Sequence, residues 1–204
     1  MLEKKKKITA RKKQALETKN RIHQVALQMM NLYGLENISI RDICEAAHVS
    51  TGTFYHYFSS KDEILHLSAA SLDAMTERLF GKLDDFETFE EKFIYLFVGQ
   101  AEHIIDKGVD VTMYSLSIYL KKPELNVFSR NRPFYIRLCQ FIREGQEKHL
   151  ISAHLSAEVI GDMSQAIFRG LWVDWCMMRG NFDLAEKTKL YIVALLKGLV
   201  VSDE

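Results

Sequence analysis

The chain has 204 residues and a formal net charge of zero, with 27 basic and 27 acidic side chains. Nearly half of the residues (48%) are hydrophobic, enough to bury a core in one or two domains. Three cysteines at distant positions argue against a disulfide-stapled secreted protein. The basic N-terminus is not followed by the apolar segment of a signal peptide, and the most apolar stretch, residues 160–178, holds three charged side chains. We therefore expect a cytoplasmic protein with no membrane partner.

The charges are divided unevenly along the chain. Residues 1–64 hold eleven Lys or Arg against seven Asp or Glu, a charge of +4, and the remaining residues carry −4. This asymmetry favours a basic nucleic-acid-binding module joined to an acidic one. Only two prolines occur, while the helix-favouring residues Leu, Ala, Met, Glu, Lys and Gln are abundant, so we predict an all-α fold.

The first elements in chain order are a lysine-rich segment and a helix. Lys4–Lys7 begin a basic run that is either a solvated tail or an arm that contacts phosphates, and the sequence leaves both open. Apolar residues at helical spacing predict a first helix from about Lys12 or Thr18 to Tyr33. Gly34 is the expected stop, because glycine readily takes the positive φ of a helix C′ position.

Residues 39–61, SIRDICEAAHVSTGTFYHYFSSK, predict two short helices joined by a tight turn. Ser39 and Ser50 are N-cap residues whose hydroxyls accept from backbone N–H groups. Four residues at helical spacing give the first helix an apolar face: Ile40, Ile43, Ala46 and Ala47. Phe54 and Phe58 lie four residues apart, so both project from one face of the second helix and anchor it. Its outer face is left small or hydrogen-bonding, as insertion into a DNA groove requires.

This stretch, preceded by a helix with Ala26 and Gly34, resembles the N-terminal domain of the TetR family of bacterial transcriptional repressors. The resemblance covers about Thr18–Leu65, a quarter of the chain, and many positions match in order and spacing. One departure is His48, because the family usually has glycine in this turn. That position often needs a positive φ, which histidine tolerates at some cost in strain, so we expect the turn to form.

Side-chain chemistry gives candidates for contacts with DNA bases. We predict that Thr51, Thr53 and His56 face the major groove, since a threonine hydroxyl can bond base edges or phosphates and its methyl can meet a thymine methyl. Arg41 can hold a guanine through two hydrogen bonds or contact a phosphate. Gly52 allows the helix backbone to approach DNA closely.

Five further residues are candidates for phosphate contacts. The resemblance implies that Tyr55, Tyr57 and Lys61 clamp the DNA backbone. Ser39 and Ser50 lie at helix N-termini, where free N–H groups favour an anion.

Ser60 and Glu63 form a predicted capping box for a long helix that continues to about Phe80 and links two domains. We assign residues 1–65 to a helix-turn-helix DNA-binding domain with a basic arm, and residues 66–204 to a C-terminal helical regulatory and dimerisation domain. Further helices are predicted over Phe89–Ile105, Val109–Leu120 (ended by Pro123), from Pro133 onward, over Ala157–Arg179 and over Asp183–Val201.

The last two predicted helices carry more apolar surface than one protomer is expected to cover. In the TetR family these helices pair with their twins in a four-helix bundle, so the resemblance implies a homodimer. Two-fold symmetry would place two recognition helices about 34–36 Å apart on a palindromic operator in double-stranded DNA. The alternative is that these helices form the core of a monomer.

The resemblance also implies a C-terminal cavity for a small-molecule effector that changes the spacing of the DNA-binding heads. Aromatic and soft side chains are the candidate lining: Phe93, Phe97, Met113, Tyr114, Phe134, Phe141, Phe168, Trp172 and Cys176. Such a lining favours a lipophilic or aromatic ligand. The alternative is ordinary core packing, which the same spacing also produces.

The sequence predicts no catalytic site, metal site or cofactor. It contains no GxSxG, P-loop, GxGxxG or HExxH motif, and its seven histidines show no metal-ligand spacing. We therefore predict a regulator, specifically a repressor that leaves its operator when ligand binds. Two alternatives stay open, a DNA-bound scaffold controlled by a protein partner and a small all-α enzyme.

Overall fold

The computed structural model describes residues 10–34, 37–61, 63–121 and 127–199, apart from the side chains of residues 10 and 65–69. Within these ranges there are nine α-helices and no strand: α1 (Ala10–Tyr33), α2 (Ile40–Ala46), α3 (Thr51–Tyr57), α4 (Glu63–Phe80), α5 (Phe89–Lys107), α6 (Val109–Lys121), α7 (Pro133–Glu147), α8 (Ala157–Met177) and α9 (Leu184–Lys197). The predicted all-α fold is confirmed. The lysines at Lys4–Lys7 and the predicted stop at Pro123 lie outside the described residues.

The chain divides into two compact units, residues 1–67 and 68–204. In the first unit, α1, α2 and α3 surround an apolar core: Ile22, Ala26, Met30, Ile38, Ile43, Ala47, Phe54 and Phe58. The predicted apolar face of α2 was partly wrong, since Ala46 is exposed and Cys44 is buried beside Ile43. With only two turns, α2 buries the side of the helix that carries positions 43, 44 and 47.

Aromatic rings fill the interior of the second unit, in which α5 lies against α9, and α8 packs on both α7 and α9. Phe93 and Phe97 on α5 are fully buried, with ring centroids 5.3 Å apart. The Phe97 ring also meets Phe134 of α7 at 5.9 Å and Phe168 of α8 at 6.3 Å, both edge-on. This continuous cluster joins three helices of the unit into one core.

Local capping signals fix where the helices of this unit begin and end. Thr88, Ser156 and Asp183 each accept a hydrogen bond from the backbone N–H three residues on, at the starts of α5, α8 and α9. α8 ends two residues before the predicted Arg179, because Arg179 has a φ of 54° and Gly180 a φ of 76°. Among the described helices, none has the length and apolar character needed to cross a membrane.

Candidate nucleic-acid interface and interior cavity

A reciprocal cap fixes the start of α2. Ser39 Oγ accepts from the Asp42 N–H at 3.2 Å, while Asp42 Oδ2 accepts from the Ser39 hydroxyl at 2.6 Å and from the Ser39 N–H at 2.7 Å. These hydrogen bonds from Ser39 hold the pKa of the Asp42 carboxyl below its usual value of 3.8. The predicted phosphate contact of Ser39 relied on free N–H groups at the start of α2, but the Ser39 N–H already donates to the Asp42 carboxylate, so a phosphate would have to compete with that carboxylate.

The turn between α2 and α3 is stabilised by a backbone hydrogen bond to α2 and by a side-chain hydrogen bond from α1. His48 has a φ of 53°, so the positive φ predicted for this position is confirmed. The Val49 N–H donates to the Cys44 carbonyl at 2.9 Å and closes the end of α2. Arg21 of α1 donates from Nε to the Ala47 carbonyl at 3.1 Å. That bond ties the turn to α1 and so fixes the direction in which α3 leaves.

α3 is anchored from beneath and capped at its start. Phe54 and Phe58 are 0% and 1% exposed with ring centroids 5.6 Å apart, which confirms the predicted aromatic anchor. Ser50 Oγ accepts from the Thr53 N–H at 3.0 Å and lies 2.9 Å from the Thr53 hydroxyl. Thr53 is half-buried and shares its hydroxyl with this cap, whereas Thr51 is exposed. Thr51 is therefore the more accessible of the two candidate threonines.

Five of the predicted DNA contacts are exposed on the helical hairpin that α2 and α3 form: Arg41, Thr51, Gly52, Tyr55 and His56. Tyr55 is 58% exposed, while Tyr57 is half-buried with its ring 4.9 Å from that of His56. A Cβ added at Gly52 would meet Ser50 Oγ at 3.7 Å, an ordinary contact. The fold of this unit therefore does not require glycine at position 52, and the bare backbone is available to a close partner.

Lys61 has a structural role that the sequence did not indicate. Its ammonium donates to the Ile38 carbonyl at 2.8 Å, and its side chain is half-buried. This bond joins the segment before α4 to the residue that precedes the Ser39 cap. Since an ammonium has three donors, Lys61 can hold this carbonyl and a phosphate at once. Its phosphate contact stays a prediction.

The second unit contains a cavity of about 40 Å³. It is lined from α4, α5, α7, α8 and the segment before α7 by Leu72, Asp73, Met75, Thr76, Gln100, Ile104, Val127, Phe128, Arg132, Phe134, Tyr135, Gln165, Phe168 and Trp172. Three of the nine predicted ligand contacts are among them: Phe134, Phe168 and Trp172. The contribution of α4 and all the polar side chains of the lining were not predicted from the sequence.

The other six predicted ligand contacts do not line this cavity: Phe93, Phe97, Met113, Tyr114, Phe141 and Cys176. Phe141 stacks on Phe89 with ring centroids 4.6 Å apart, which is ordinary core packing. Cys176 is buried, and burial raises the pKa of its thiol to about 11. A thiol with that pKa is almost entirely protonated at neutral pH, which argues against a redox-sensing role.

One face of α8 and one face of α9 expose apolar and small side chains: Val159, Met163, Ala166 and Gly170 on α8, and Leu190, Tyr191 and Ala194 on α9. Val159 is 42% exposed and Leu190 is 63% exposed. The members of the α8 set lie three or four residues apart and form a stripe along that helix. On α9, Leu190 and Ala194 lie four residues apart and Tyr191 is next to Leu190. Together they form the apolar face, a surface of the kind that a partner covers.

The described part of the chain gathers no group of three His, Cys, Asp or Glu side chains that could hold a metal ion.

The helical hairpin and the helices beside it match a known family of bacterial regulatory proteins. Residues 22–67 match the sequence profile of bacterial regulatory proteins of the tetR family. The chain is also similar to the HTH-type transcriptional regulator AcrR of Shigella flexneri, with 23% identity over 195 residues that cover 91% of each protein. These matches confirm the prediction of a regulator that is not an enzyme.

Two solved structures share the fold. Thermus thermophilus FadR, a TetR-family repressor in complex with lauroyl-CoA, superposes with a TM-score of 0.67 at 22% identity, covering 91% of this chain and 97% of FadR. A transcriptional regulator from Saccharomonospora viridis in complex with choline gives a TM-score of 0.71 at 18% identity, covering 91% and 98%. The two bound ligands differ in chemistry, so the shared fold does not identify a ligand for this chain.

Proposed function

We propose that this chain, which belongs to the TetR family of bacterial regulatory proteins, is a homodimeric repressor that occupies a palindromic operator and leaves it when a small ligand binds the second unit. The proposal rests on the arrangement of α3. Its outer face presents Thr51 and His56, while Phe54 and Phe58 hold it from beneath. As a DNA-binding regulator the protein would act in the cytoplasm.

The predicted DNA contacts on α2 and α3 have distinct roles in this proposal. Thr51, His56 and Arg41 contact base edges, and Tyr55 and Tyr57 contact phosphates. The cap hydrogen bonds of Ser39 and Ser50 and the Arg21–Ala47 bond support these roles, because they hold the two helices in one arrangement before DNA binds. Helices that are already held in one arrangement lose less conformational freedom when they bind DNA, which favours affinity.

The apolar face of α8 and α9 supports the dimer. Within the described residues, a Cβ built at Gly170 has no atom within 4 Å, so this part of α8 faces open space in the isolated protomer. Small residues at 166 and 170 would allow a partner helix to approach closely. A single short recognition helix buries too little surface for tight specific binding, so a second copy is needed.

The cavity supports a ligand-binding role that includes a change of shape. Pockets for small ligands usually enclose about 300–1,000 Å³, far more than the 40 Å³ present here. A ligand must therefore push apart the helices that line the cavity, and α4 is one of them. α4 begins in the first unit and ends in the second, so its displacement can reach the DNA-binding residues. Each tenfold loss of operator affinity corresponds to about 1.4 kcal/mol of coupling.

The small cavity and the exposed apolar face also favour a second candidate, control by a protein partner that covers the apolar face. The two candidates differ in the mass of the purified protein. A homodimer has twice the mass of the chain in solution. If the apolar face instead binds a different protein, the purified chain is a monomer. Sedimentation velocity at micromolar concentration separates them.

The direct test is selection of bound sites from random double-stranded DNA by the full-length protein. We expect a palindrome whose half-site centres lie about one helical turn, or a multiple of it, apart. Recovery of a single asymmetric half-site, or no enrichment at moderate salt, would contradict the proposal. A His56→Ala variant should lose enrichment at particular base pairs. A His154→Ala variant, which changes an exposed histidine of the second unit, should select the wild-type site.

A further inference from the structure

Two side chains that line the cavity of the second unit carry hydrogen-bond donors with no partner among the residues that the structure describes. Gln100 on α5 is 8% exposed and lines the cavity, and within the described structure its Nε2 has no hydrogen-bond partner. Trp172 on α8 is 3% exposed and also lines it. Its indole Nε1–H has no hydrogen-bond partner within the described residues, although the indole lowers the pKa of the Cys176 thiol that burial raises. Buried donors of this kind are rare and point to an absent acceptor.

An ion pair forms part of the same wall. Arg132 Nη2 donates to Asp73 Oδ1 at 2.6 Å, and both residues line the cavity. Asp73 belongs to α4 and Arg132 is the N-cap residue of α7, so the pair links these two helices. The side chains of Asp73 and Arg132 are 41% and 28% exposed, so the pair is accessible from solvent.

We propose that the ligand is an apolar carboxylate whose head group takes the place of Asp73 on the Arg132 guanidinium, with the Gln100 amide as a second donor. The apolar tail lies among Met75, Phe168 and Trp172. One carboxylate replaces another, so the guanidinium keeps an anionic partner throughout. Asp73 then turns to solvent, and α4 loses its charged link to α7.

The polar lining favours an anion over the other head groups. A cation would have to draw Asp73 away from Arg132, which breaks a charge-assisted hydrogen bond and places two positive groups on one carboxylate. A neutral head would leave the ion pair closed and satisfy only the amide and the indole. An anion can both accept from the Gln100 amide and open the link between α4 and α7, whereas a neutral head group does only the first.

The chain supplies a matched control one helical turn away. Glu77 of α4 pairs with Arg137 of α7 at 2.7 Å, and Arg137 also lies over the Phe80 ring at 4.5 Å. This second ion pair joins the same two helices, but neither of its members lines the cavity. Loss of the Glu77 charge therefore weakens the α4–α7 contact without changing the proposed head-group site.

The experiment is isothermal titration of the full-length protein with sodium alkanoates of six to twelve carbons, with decanol and decyltrimethylammonium as neutral and cationic analogues. We expect an alkanoate to bind and Arg132→Gln to weaken it about tenfold or more. Asp73→Asn should tighten it several-fold, because it removes the competing carboxylate. Glu77→Gln should leave the affinity within about twofold.

The opposite effects of Asp73→Asn and Arg132→Gln separate the proposal from simple loss of folding, which would weaken binding in both. Absence of alkanoate binding, equal binding of decanol, tighter binding of the cation, or the same affinity in Arg132→Gln would each overturn it. The titration needs no DNA, whereas control of the operator by this site rests on the proposed function. Alkanoate binding without a palindromic operator would therefore refute the repressor and leave the carboxylate site standing.

Discussion

The turn before α3 gives a prediction whose magnitude follows from one dihedral angle. His48 has a φ of 53°, and a left-handed conformation costs an L-residue about 1–2 kcal/mol. Glycine avoids this cost but loses about 0.5–1 kcal/mol through the greater freedom of the unfolded chain. His48→Gly should therefore stabilise the hairpin of α2 and α3 by between zero and about 1.5 kcal/mol. His48→Val should destabilise it by about 1 kcal/mol or more, because a branched Cβ fits this region poorly.

Native-state hydrogen exchange measures this effect locally, which matters because the chain has two units and one global unfolding midpoint would mix them. The amides of Val49 and Phe58 should exchange more slowly in His48→Gly and faster in His48→Val. His149 in the second unit has a φ of 55° and serves as the control. His149→Gly should leave these two amides unchanged. If His48→Val exchanged like the wild type, the turn would carry no strain and would not constrain α3.

Further predictions concern pH and assembly. The folded pKa of Asp42 lies below its unfolded value of 3.8, so the stability this carboxylate gives α2 is present above about pH 4 and is lost as the pH falls through the folded pKa. Ser39→Ala should raise the Asp42 midpoint toward 3.8 in a carboxyl NMR titration, and an unmoved midpoint would mean that the cap does not cause the shift. Burial, with smaller effects of Lys107 and Arg78, lowers the pKa of His103 to about 4, so the unfolded chain binds the proton first and stability falls as the pH drops from 6.5 toward 4. His103→Gln should flatten the pH dependence of the stability of α5, obtained from native-state hydrogen exchange in that window, and a persistent slope would assign it to another group. Gly170→Leu should halve the mass seen in sedimentation velocity while leaving the circular dichroism of the protomer intact, and an unchanged dimer would place the interface elsewhere.

The DNA-binding hairpin was predictable because its determinants are local. Ser39 and Ser50 act within three residues of their own positions, and the spacing of Phe54 and Phe58 shows which face is buried. The left-handed turn could be anticipated because the resemblance places glycine where this chain has His48. Local chemistry therefore determined both the elements and the orientation of their outer face.

The second unit was predictable as helices but not as a site. Helical spacing shows that an aromatic residue is buried, yet it does not show which helix it meets or where packing leaves a gap. Phe141 stacks on Phe89, whereas Phe168 borders the cavity, and no local feature separates the two. The Asp73–Arg132 pair joins positions 59 residues apart, so only the folded chain brings them together.

The same limit applies to long-range hydrogen bonds in the first unit. The resemblance implies a phosphate contact for Lys61. Its bond to the Ile38 carbonyl spans 23 residues and depends on how α2 and the start of α4 meet. A long, flexible lysine side chain can stabilise the fold and contact a partner at the same time, so sequence alone does not assign the role of Lys61.

The central claim is that the outer face of α3 reads base pairs. The most direct measurement compares the affinity of wild type, Thr51→Ala and His56→Ala for the selected operator and for each single-base variant of it. Each substitution should abolish discrimination at one or two base pairs per half-site, worth about 1–3 kcal/mol, and leave the other positions unchanged. A uniform loss across all operator variants, or no loss at any of them, would contradict the account.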